Sequence, residues 1–123
     1  MAKMSEEVKK AVAACKPGII ATAGKTGKPN VSAKGSFRVI DDEHVAFANI
    51  MSPNTVANLK QNPQVAVICL DPATRSGCRI SGTAEISDSG ALFDQLSQEY
   101  GARKMKVLHA VTISVEQSST FKI

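Results

Sequence analysis

The chain has 123 residues, enough for one domain with a buried core and too few for two domains of ordinary size. Its 15 basic and 11 acidic side chains leave a net charge of +4, and the aromatic side chains are four Phe and one Tyr without any Trp. Such a mild, dispersed basic excess with few stacking aromatics disfavours a nucleic-acid-binding protein. The sequence therefore predicts a single domain over residues 1–123 without a nucleic-acid partner.

Cysteine and histidine usage bears on redox compartment and metal binding. The three cysteines form no C-x-x-C pair, and the two histidines, His44 and His109, are far apart in sequence. This pattern favours a reduced, cytoplasmic protein and disfavours a zinc site. No apolar run reaches membrane-spanning length, and the charged N-terminus lacks a signal core, so we expect no membrane partner.

Four elements are predicted in the first third of the chain. Ser5 can cap a helix that runs to Cys15, because the apolar residues that follow recur at helical spacing. Ile19–Ala23 is predicted to be a short buried strand. A glycine-rich turn follows and should return the chain antiparallel into a long strand, Asn30–Ile40.

The strand Asn30–Ile40 should present two different faces, because side chains alternate along a strand. The apolar face is predicted to join the core and comprises Val31, Ala33, Gly35, Phe37 and Val39. The other face comprises Asn30, Ser32, Lys34, Ser36 and Arg38. This polar face can be solvent-exposed or can be one wall of a polar ligand site.

A strand at His44–Asn49 leads directly into a short helix that begins at Ser52-Pro53 and is broken by Asn62-Pro63. The first turn of this helix is rich in hydroxyl and amide side chains. Helix starts carry unpaired N–H groups and the positive end of the helix dipole, so this turn can hold an anion such as a phosphate. The alternative is that Ser52 only caps the helix and Pro53 fills its first position.

Two strands and a helix are predicted between residues 64 and 101. Gln64–Leu70 is nearly all apolar, which predicts burial on both faces. Cys78–Ile86 alternates, with Cys69 and Cys78 interpreted as core cysteines. A helix begins at Asp88 or Ser89 and ends at Gly101.

The last predicted elements are a strand at Val107–Val115 and a short edge strand at Ser119–Ile123. His109, among apolar neighbours, is interpreted as a buried structural residue. Strands that follow one another through short turns predict a mainly β, antiparallel sheet or barrel with peripheral α-helices.

The ordered motifs resemble the pyridoxamine 5′-phosphate oxidase-like FMN-binding split-barrel superfamily. The segments that carry this resemblance are Gly27–Phe37, Val45–Asn49, Ser52–Thr55, Asn62–Val67 and Arg79–Glu85. The resemblance implies a six-stranded antiparallel split β-barrel that forms a homodimer and binds FMN at the subunit interface. Ser32, Ala33 and Lys34 would contact the cofactor from the second strand.

The same resemblance implies two further groups of cofactor-binding residues. The backbone of Ala48, Asn49 and Ile50 would pass the isoalloxazine edge. The phosphate cradle would be completed by Ser52, Asn54 and Thr55. Pyridoxamine phosphate oxidases proper carry an Arg-Lys pair at the last two positions, so the resemblance does not extend to vitamin B6 oxidation, and Lys34 becomes the candidate for balancing the phosphate charge. The alternative for Lys34 is a solvated strand lysine.

The resemblance implies a flavin-dependent oxidoreductase that acts on a small molecule, with unidentified catalytic residues. The alternative is a non-catalytic FMN carrier or an electron-transfer protein with a redox-protein partner. Flavin chemistry resides in the isoalloxazine ring, so the lack of a Ser/His/Asp set does not argue against an enzyme. A relative that replaces FMN with haem or a deazaflavin is a further alternative.

Overall fold

The computed structural model describes residues 2–123, which form three helices and seven strands. The helices are α1 (Glu6–Ala14), α2 (Pro53–Gln61) and α3 (Ala91–Gly101). The strands are β1 (Gly18–Ala23), β2 (Pro29–Lys34), β3 (Arg38–Asp41), β4 (His44–Asn49), β5 (Gln64–Asp71), β6 (Ser76–Ser87) and β7 (His109–Lys122).

All seven strands lie in one sheet in the order β2-β1-β5-β6-β7-β4-β3, and each pair of neighbours is antiparallel. The predicted mainly β antiparallel fold with peripheral helices is therefore confirmed. The predicted long strand Asn30–Ile40 is instead divided, because the chain turns at Gly35 and Ser36 and β2 and β3 pair with different strands. This division is why the sheet has seven strands where six were expected.

The turn between β2 and β3 constrains the whole sheet. These two strands form the opposite edges of the sheet, yet only residues 35–37 separate them along the chain. Consecutive Cα atoms are about 3.8 Å apart, so Lys34 and Arg38 lie within about 15 Å of each other. The sheet must curl to bring its two edges this close, which produces the partly closed barrel.

Two predictions about individual strands are wrong. Residues 119–123 are not a separate edge strand, because β7 is continuous and pairs with β6 from Ser76↔Lys122 to Ser87↔Ala110. β5 is not buried on both faces: Val65, Val67 and Cys69 are buried while the alternate residues are exposed. Apolar composition alone could not distinguish a strand with two covered faces from one whose second apolar face is open.

The main core lies on the inner face of the sheet, where α1 packs. Ser5 caps α1 as predicted, since its Oγ accepts a hydrogen bond of 3.2 Å from the Val8 N–H. Val8 and Val12 of α1 are buried in one cluster with Phe37 and Phe47. This cluster fixes the interior of the barrel around the start of β4.

A second cluster attaches α3 to the end of β4. Leu96 and Tyr100 of α3 are buried against Ala48 and Val107. The predicted start of this helix at Asp88 or Ser89 is slightly early, because the N-cap is Gly90 with a φ of 104°. A positive φ favours glycine over any residue with a Cβ atom, so the chain enters α3 at this position.

We predict that Gly82→Ala destabilises the barrel. Gly82 lies at a break in register between β6 and β7, and a Cβ atom there would be 2.1 Å from the Ser114 carbonyl oxygen. Relieving this overlap should cost about 1–3 kcal/mol of the free energy of unfolding, measured by urea denaturation. Gly101→Ala is the matched control, since no heavy atom of the described residues beyond its chain neighbours and its own helix backbone lies within 4 Å of its Cβ position. Equal stability of the two variants would contradict the close approach.

Candidate functional site

The candidate site forms where the end of β2 meets the first turn of α2. Lys34 ends β2 and is only 7% exposed, and its Nζ donates a hydrogen bond to Ser52 Oγ at the start of the helix. The same Nζ lies 5.8 Å from the centre of the Phe47 ring, a cation–π distance. Lys34 is therefore a buried lysine held against a helix N-terminus, and the alternative of a solvated strand lysine is wrong.

Ser52 is the N-cap residue of α2, but its side chain does not cap the helix. Its hydroxyl oxygen accepts from Lys34 and makes no hydrogen bond to a backbone N–H of the first turn. The simple capping interpretation of Ser52 is thus not supported. The first turn of α2 keeps N–H groups without an intrahelical acceptor, as every helix start does.

A hydroxyl and amide network continues the site along β2. Ser32 Oγ lies 3.0 Å from Thr55 Oγ1, and Asn30 Nδ2 donates to the same Thr55 oxygen at 3.3 Å. Thr55 is completely buried. The polar face of β2 therefore lines the contact with α2 and is not a solvated surface.

The apolar face of β2 was expected in the core, and this expectation is wrong for Val31 and Ala33. Val31 is 67% exposed and Ala33 is also exposed. Register explains the reversal, because Ser32 and Asn30 oppose the buried Ile20 and Thr22 of β1 and so share their inner face. The side chain of Ala33 points away from Ser32 and Thr55, so only the backbone of Ala33 can contact a ligand bound beside them.

The end of β4 contributes a second polar group. The Asn49 side chain is 2% exposed and its Nδ2 lies 3.0 Å from His109 Nδ1. Asn49 Oδ1 is buried without a hydrogen-bond partner among the described residues. His109 was predicted to be buried, but it is only half-buried. A buried acceptor without a donor is costly, so Asn49 Oδ1 is suited to receive an N–H from a bound molecule.

Backbone groups of β4 next to Asn49 are largely engaged within the protein. The Ala48 N–H donates to Ser36 Oγ at 2.9 Å, and the Asn49 carbonyl accepts from the Leu108 N–H at 2.9 Å. Ile50 is half-buried and packs against the α3 cluster. Asn54 is exposed and lines an open groove of about 350 Å³ between α2 and the turn from β1 to β2.

The structure thus brings together four side chains, which we call the cradle: Ser32, Lys34, Ser52 and Thr55. Asn54 and the Ala33 side chain lie outside the cradle. Asn30 and Ser36 were predicted on the polar face but not as site residues. Their alternation with Ser32 and Lys34 was the available signal. The contribution of Phe47 depends on the curl of the sheet and had no signal in the sequence.

An ion pair holds the turn that follows Lys34. Arg38 Nε donates to the Ser36 carbonyl at 2.9 Å, and its two terminal nitrogens lie 2.8 and 2.9 Å from the Glu99 carboxylate oxygens of α3. This bidentate contact lowers the pKa of Glu99. Arg38 therefore links the β2–β3 turn to α3 without taking part in the cradle.

The cradle carries positive charge from Lys34 and from the N-terminus of α2. Burial lowers the pKa of Lys34, and no carboxylate of residues 2–123 forms an ion pair with it. The positive end of α2 adds to the same field. The arrangement can stabilise a bound anion, because a negative group would compensate both the buried ammonium and the helix N-terminus.

A family model described as pyridoxamine 5′-phosphate oxidase matches residues 4–121. The chain belongs to this family. The resemblance stated from the motifs is thereby confirmed for nearly the whole chain. No curated protein sequence matches it.

Solved structures agree with the family's fold. The chain is similar to HupZ from Group A Streptococcus, with 24% identity, a TM-score of 0.87, and coverage of 97% of this chain and 94% of the other. An FMN-binding protein from Syntrophomonas wolfei subsp. wolfei has 14% identity, a TM-score of 0.84, and coverage of 96% and 86%. HutZ, the heme storage protein from Vibrio cholerae, has 20% identity, a TM-score of 0.70, and coverage of 98% and 95%. These similarities establish the split-barrel fold.

Residues 2–123 also bear on two other kinds of functional region, membrane spans and metal centres. None of the three helices has the length and hydropathy needed to cross a membrane. The same residues contain no group of three or more His, Cys, Asp or Glu side chains arranged to hold a metal ion.

We predict that Lys34→Met does not destabilise the protein without ligand. Since the folded-state pKa of Lys34 is lowered below 10.5, the unfolded chain binds more protons and the wild type gains stability as pH rises through that folded-state pKa toward 10.5. At neutral pH the wild type carries the full cost of the buried charge. Chemical denaturation at several pH values should show this gain in the wild type and not in Lys34→Met.

Lys28→Met is the matched control, because Lys28 is an exposed lysine close to the same strand. A marked loss of stability in Lys34→Met at neutral pH would contradict the prediction. That result would mean that the contacts of Lys34 with Ser52 and Phe47 outweigh the cost of its burial.

Proposed function

We propose that the protein binds FMN and holds its phosphate at the cradle of Lys34, Ser32, Ser52 and Thr55. The observation that carries this proposal is Lys34, a buried ammonium group without an acidic partner among the described residues, which donates a hydrogen bond to the N-cap residue of α2. A phosphate would supply the missing negative charge. The hydroxyls of Ser32 and Thr55 can donate to its oxygens by rotating away from each other.

The other end of the proposed site suits a flavin ring. Asn49 Oδ1 is a buried acceptor without a donor among residues 2–123, and an isoalloxazine ring carries an N–H group. Ile50, at the end of β4, offers apolar surface beside it. The site therefore has a cation at one end and an amide acceptor at the other. FMN has a matching arrangement, with a phosphate at one end and a polar heterocycle at the other.

When bound, FMN supplies the capacity to accept and donate electrons. The chain's own contribution is to bind and orient it: Lys34 balances the phosphate charge, and Asn49, held by His109, presents its oxygen in a fixed direction. We propose that the protein is a cytoplasmic oxidoreductase acting on a small molecule. The second candidate is a flavin carrier or electron-transfer protein that works with a redox-protein partner, since the described residues offer no evident acid–base pair at the cradle.

The visible absorption spectrum of freshly purified protein tests this proposal, followed by titration of the colourless protein with FMN. We expect a flavin spectrum and saturable binding, with reduction by NADH or NADPH and reoxidation by a substrate if the protein is an enzyme. Flavin binding without turnover on a broad substrate panel would favour the carrier. A Soret band would instead favour haem, the ligand named for HutZ. Protein that takes up no FMN would overturn the proposal.

We predict that Lys34→Ala weakens FMN binding while the fold persists. Losing the charge-assisted contact should cost about 1.5–3 kcal/mol, or roughly 10- to 150-fold in Kd measured by fluorescence titration. Thr55→Ala should have a smaller effect, because it removes one neutral hydroxyl. Lys60→Ala, an exposed lysine of the same helix, is the control. Unchanged affinity in Lys34→Ala would remove this residue from the site.

We also propose that the protein is a homodimer in which the outer face of β2, β1 and β5 is the interface. Exposed apolar side chains from the three strands are neighbours there: Val31 lies opposite Ala21, and Ile19 lies opposite both Ala33 and Ile68. Contiguous exposed apolar patches are rare on monomers and mark contact surfaces. A second copy of the chain is the occupant that the family resemblance implies.

Val31→Glu should convert this dimer to a monomer, because two charges would be buried at a symmetric contact. Size-exclusion chromatography with light scattering measures the change, and circular dichroism checks that the exposed substitution leaves the fold intact. Ile123→Glu is the control for adding a charge to an exposed apolar residue elsewhere. A wild-type monomer at micromolar concentration, or a dimeric Val31→Glu, would rule out this interface.

A further inference from the structure

The three cysteines, distant in sequence, belong to one cluster of the core. Cys69 of β5 and Cys78 of β6 are directly opposed in register, and both are fully buried. Cys15, at the end of α1, belongs to the same cluster. All three are free thiols. The prediction that Cys69 and Cys78 are core cysteines is confirmed by their burial.

The geometry of the Cys69–Cys78 pair is that of a bridgeable pair. Opposed residues of antiparallel strands have Cα atoms about 4.5–5.5 Å apart, inside the range of about 4.4–6.8 Å found for disulfides. Their side chains project to the same face of the sheet, here the inner face. The pair therefore meets the Cα distance requirement for a disulfide.

The backbones of β5 and β6 approach each other closely next to the two cysteines. A Cβ atom on Gly77 would lie 1.8 Å from the Cys69 carbonyl oxygen, so only glycine permits the observed approach of β6 to β5. Gly77 immediately precedes Cys78. The close approach therefore holds the two cysteine positions near each other independently of any bond between them.

The two thiols already interact. A hydrogen bond from Cys69 lowers the pKa of the Cys78 thiol, while the same bond and burial raise the pKa of Cys69. The two sulfurs therefore interact, and a thiolate at either of them can be the attacking group in an oxidation.

A small oxidant has a route toward this cluster. A cavity of about 460 Å³ opens between α1 and the adjoining ends of β6 and β7, and Cys15 and Gly77 are in its wall. A hydroperoxide of the size of hydrogen peroxide can enter such a space. Gly77 directly precedes Cys78 in β6, so the cavity reaches the residue next to the thiol pair.

We propose that Cys69 and Cys78 are a redox-active pair that converts reversibly between a dithiol and a cross-strand disulfide, with a hydroperoxide as the oxidant. The thiolate of one cysteine attacks one peroxide oxygen, the O–O bond breaks, and the sulfur becomes a sulfenic acid while water or an alcohol leaves with the proton that the thiol gave up. The sulfur of the other cysteine then displaces hydroxide from the sulfenic acid, and its own proton joins that hydroxide, which yields the disulfide and one molecule of water. Two electrons pass from the thiols to the peroxide, and a dithiol reductant reverses the change.

The test is oxidation of the reduced, folded full-length protein with hydrogen peroxide, followed by alkylation under denaturing conditions and peptide mass mapping. We expect one internal bridge between Cys69 and Cys78, a mass loss of about 2 Da for the two hydrogens, and an alkylated Cys15. Dithiothreitol should restore all three thiols. Protein oxidised in denaturant is the control, since the unfolded chain should give a mixture of the three possible pairings.

Variants make the assignment specific. Cys15→Ser should form the same bridge, whereas Cys78→Ala should form no internal disulfide. If Cys78→Ala fails to fold, the peptide map of the wild type still decides. Three thiols that survive peroxide in the folded wild type, a dominant bridge that contains Cys15, or oxidation that dithiothreitol does not reverse would each overturn the proposal.

Discussion

The short connection between β2 and β3 is the constraint on which the rest of the structure depends. Three residues join strands that occupy opposite edges of a seven-stranded sheet, so the sheet has to curl until its edges meet. Arg38 secures this connection through Ser36 and Glu99. Curling moves the end of β2 over the start of α2, and the buried lysine, the hydroxyl network and the Phe47 ring converge there as a result.

The buried position of Lys34 favours anion binding but lowers the stability of the ligand-free protein. An ammonium group buried without an acidic partner lowers the free energy of unfolding of the ligand-free protein, and an anionic ligand would recover that energy on binding. The unpartnered oxygen of Asn49 has the same character at the other end of the site. Most buried polar groups have a partner within the protein, whereas the Lys34 ammonium lacks an acidic partner and Asn49 Oδ1 lacks a donor among the described residues. These two groups are therefore the strongest indications of a ligand.

Local sequence patterns predicted most elements well, and the failures share one cause. The cap at Ser5 and the bounds of β4 were predicted because capping and alternation are properties of adjacent residues. The predicted core role of Val31 failed because the pattern of β2 does not say which face meets α2. The supposed edge strand at residues 119–123 failed because strand pairing between β6 and β7 is a long-range property.

The sequence by itself determined the family and the β-rich order of elements, because the motifs from Gly27 to Glu85 and the turn residues between them act through neighbours in the chain. It also identified Lys34 and Thr55 as candidates. Only the tertiary structure decided that Lys34 is buried against Ser52 and that Cys69 faces Cys78. Burial and register depend on how the sheet curls and pairs, and those are set by contacts between residues far apart in sequence.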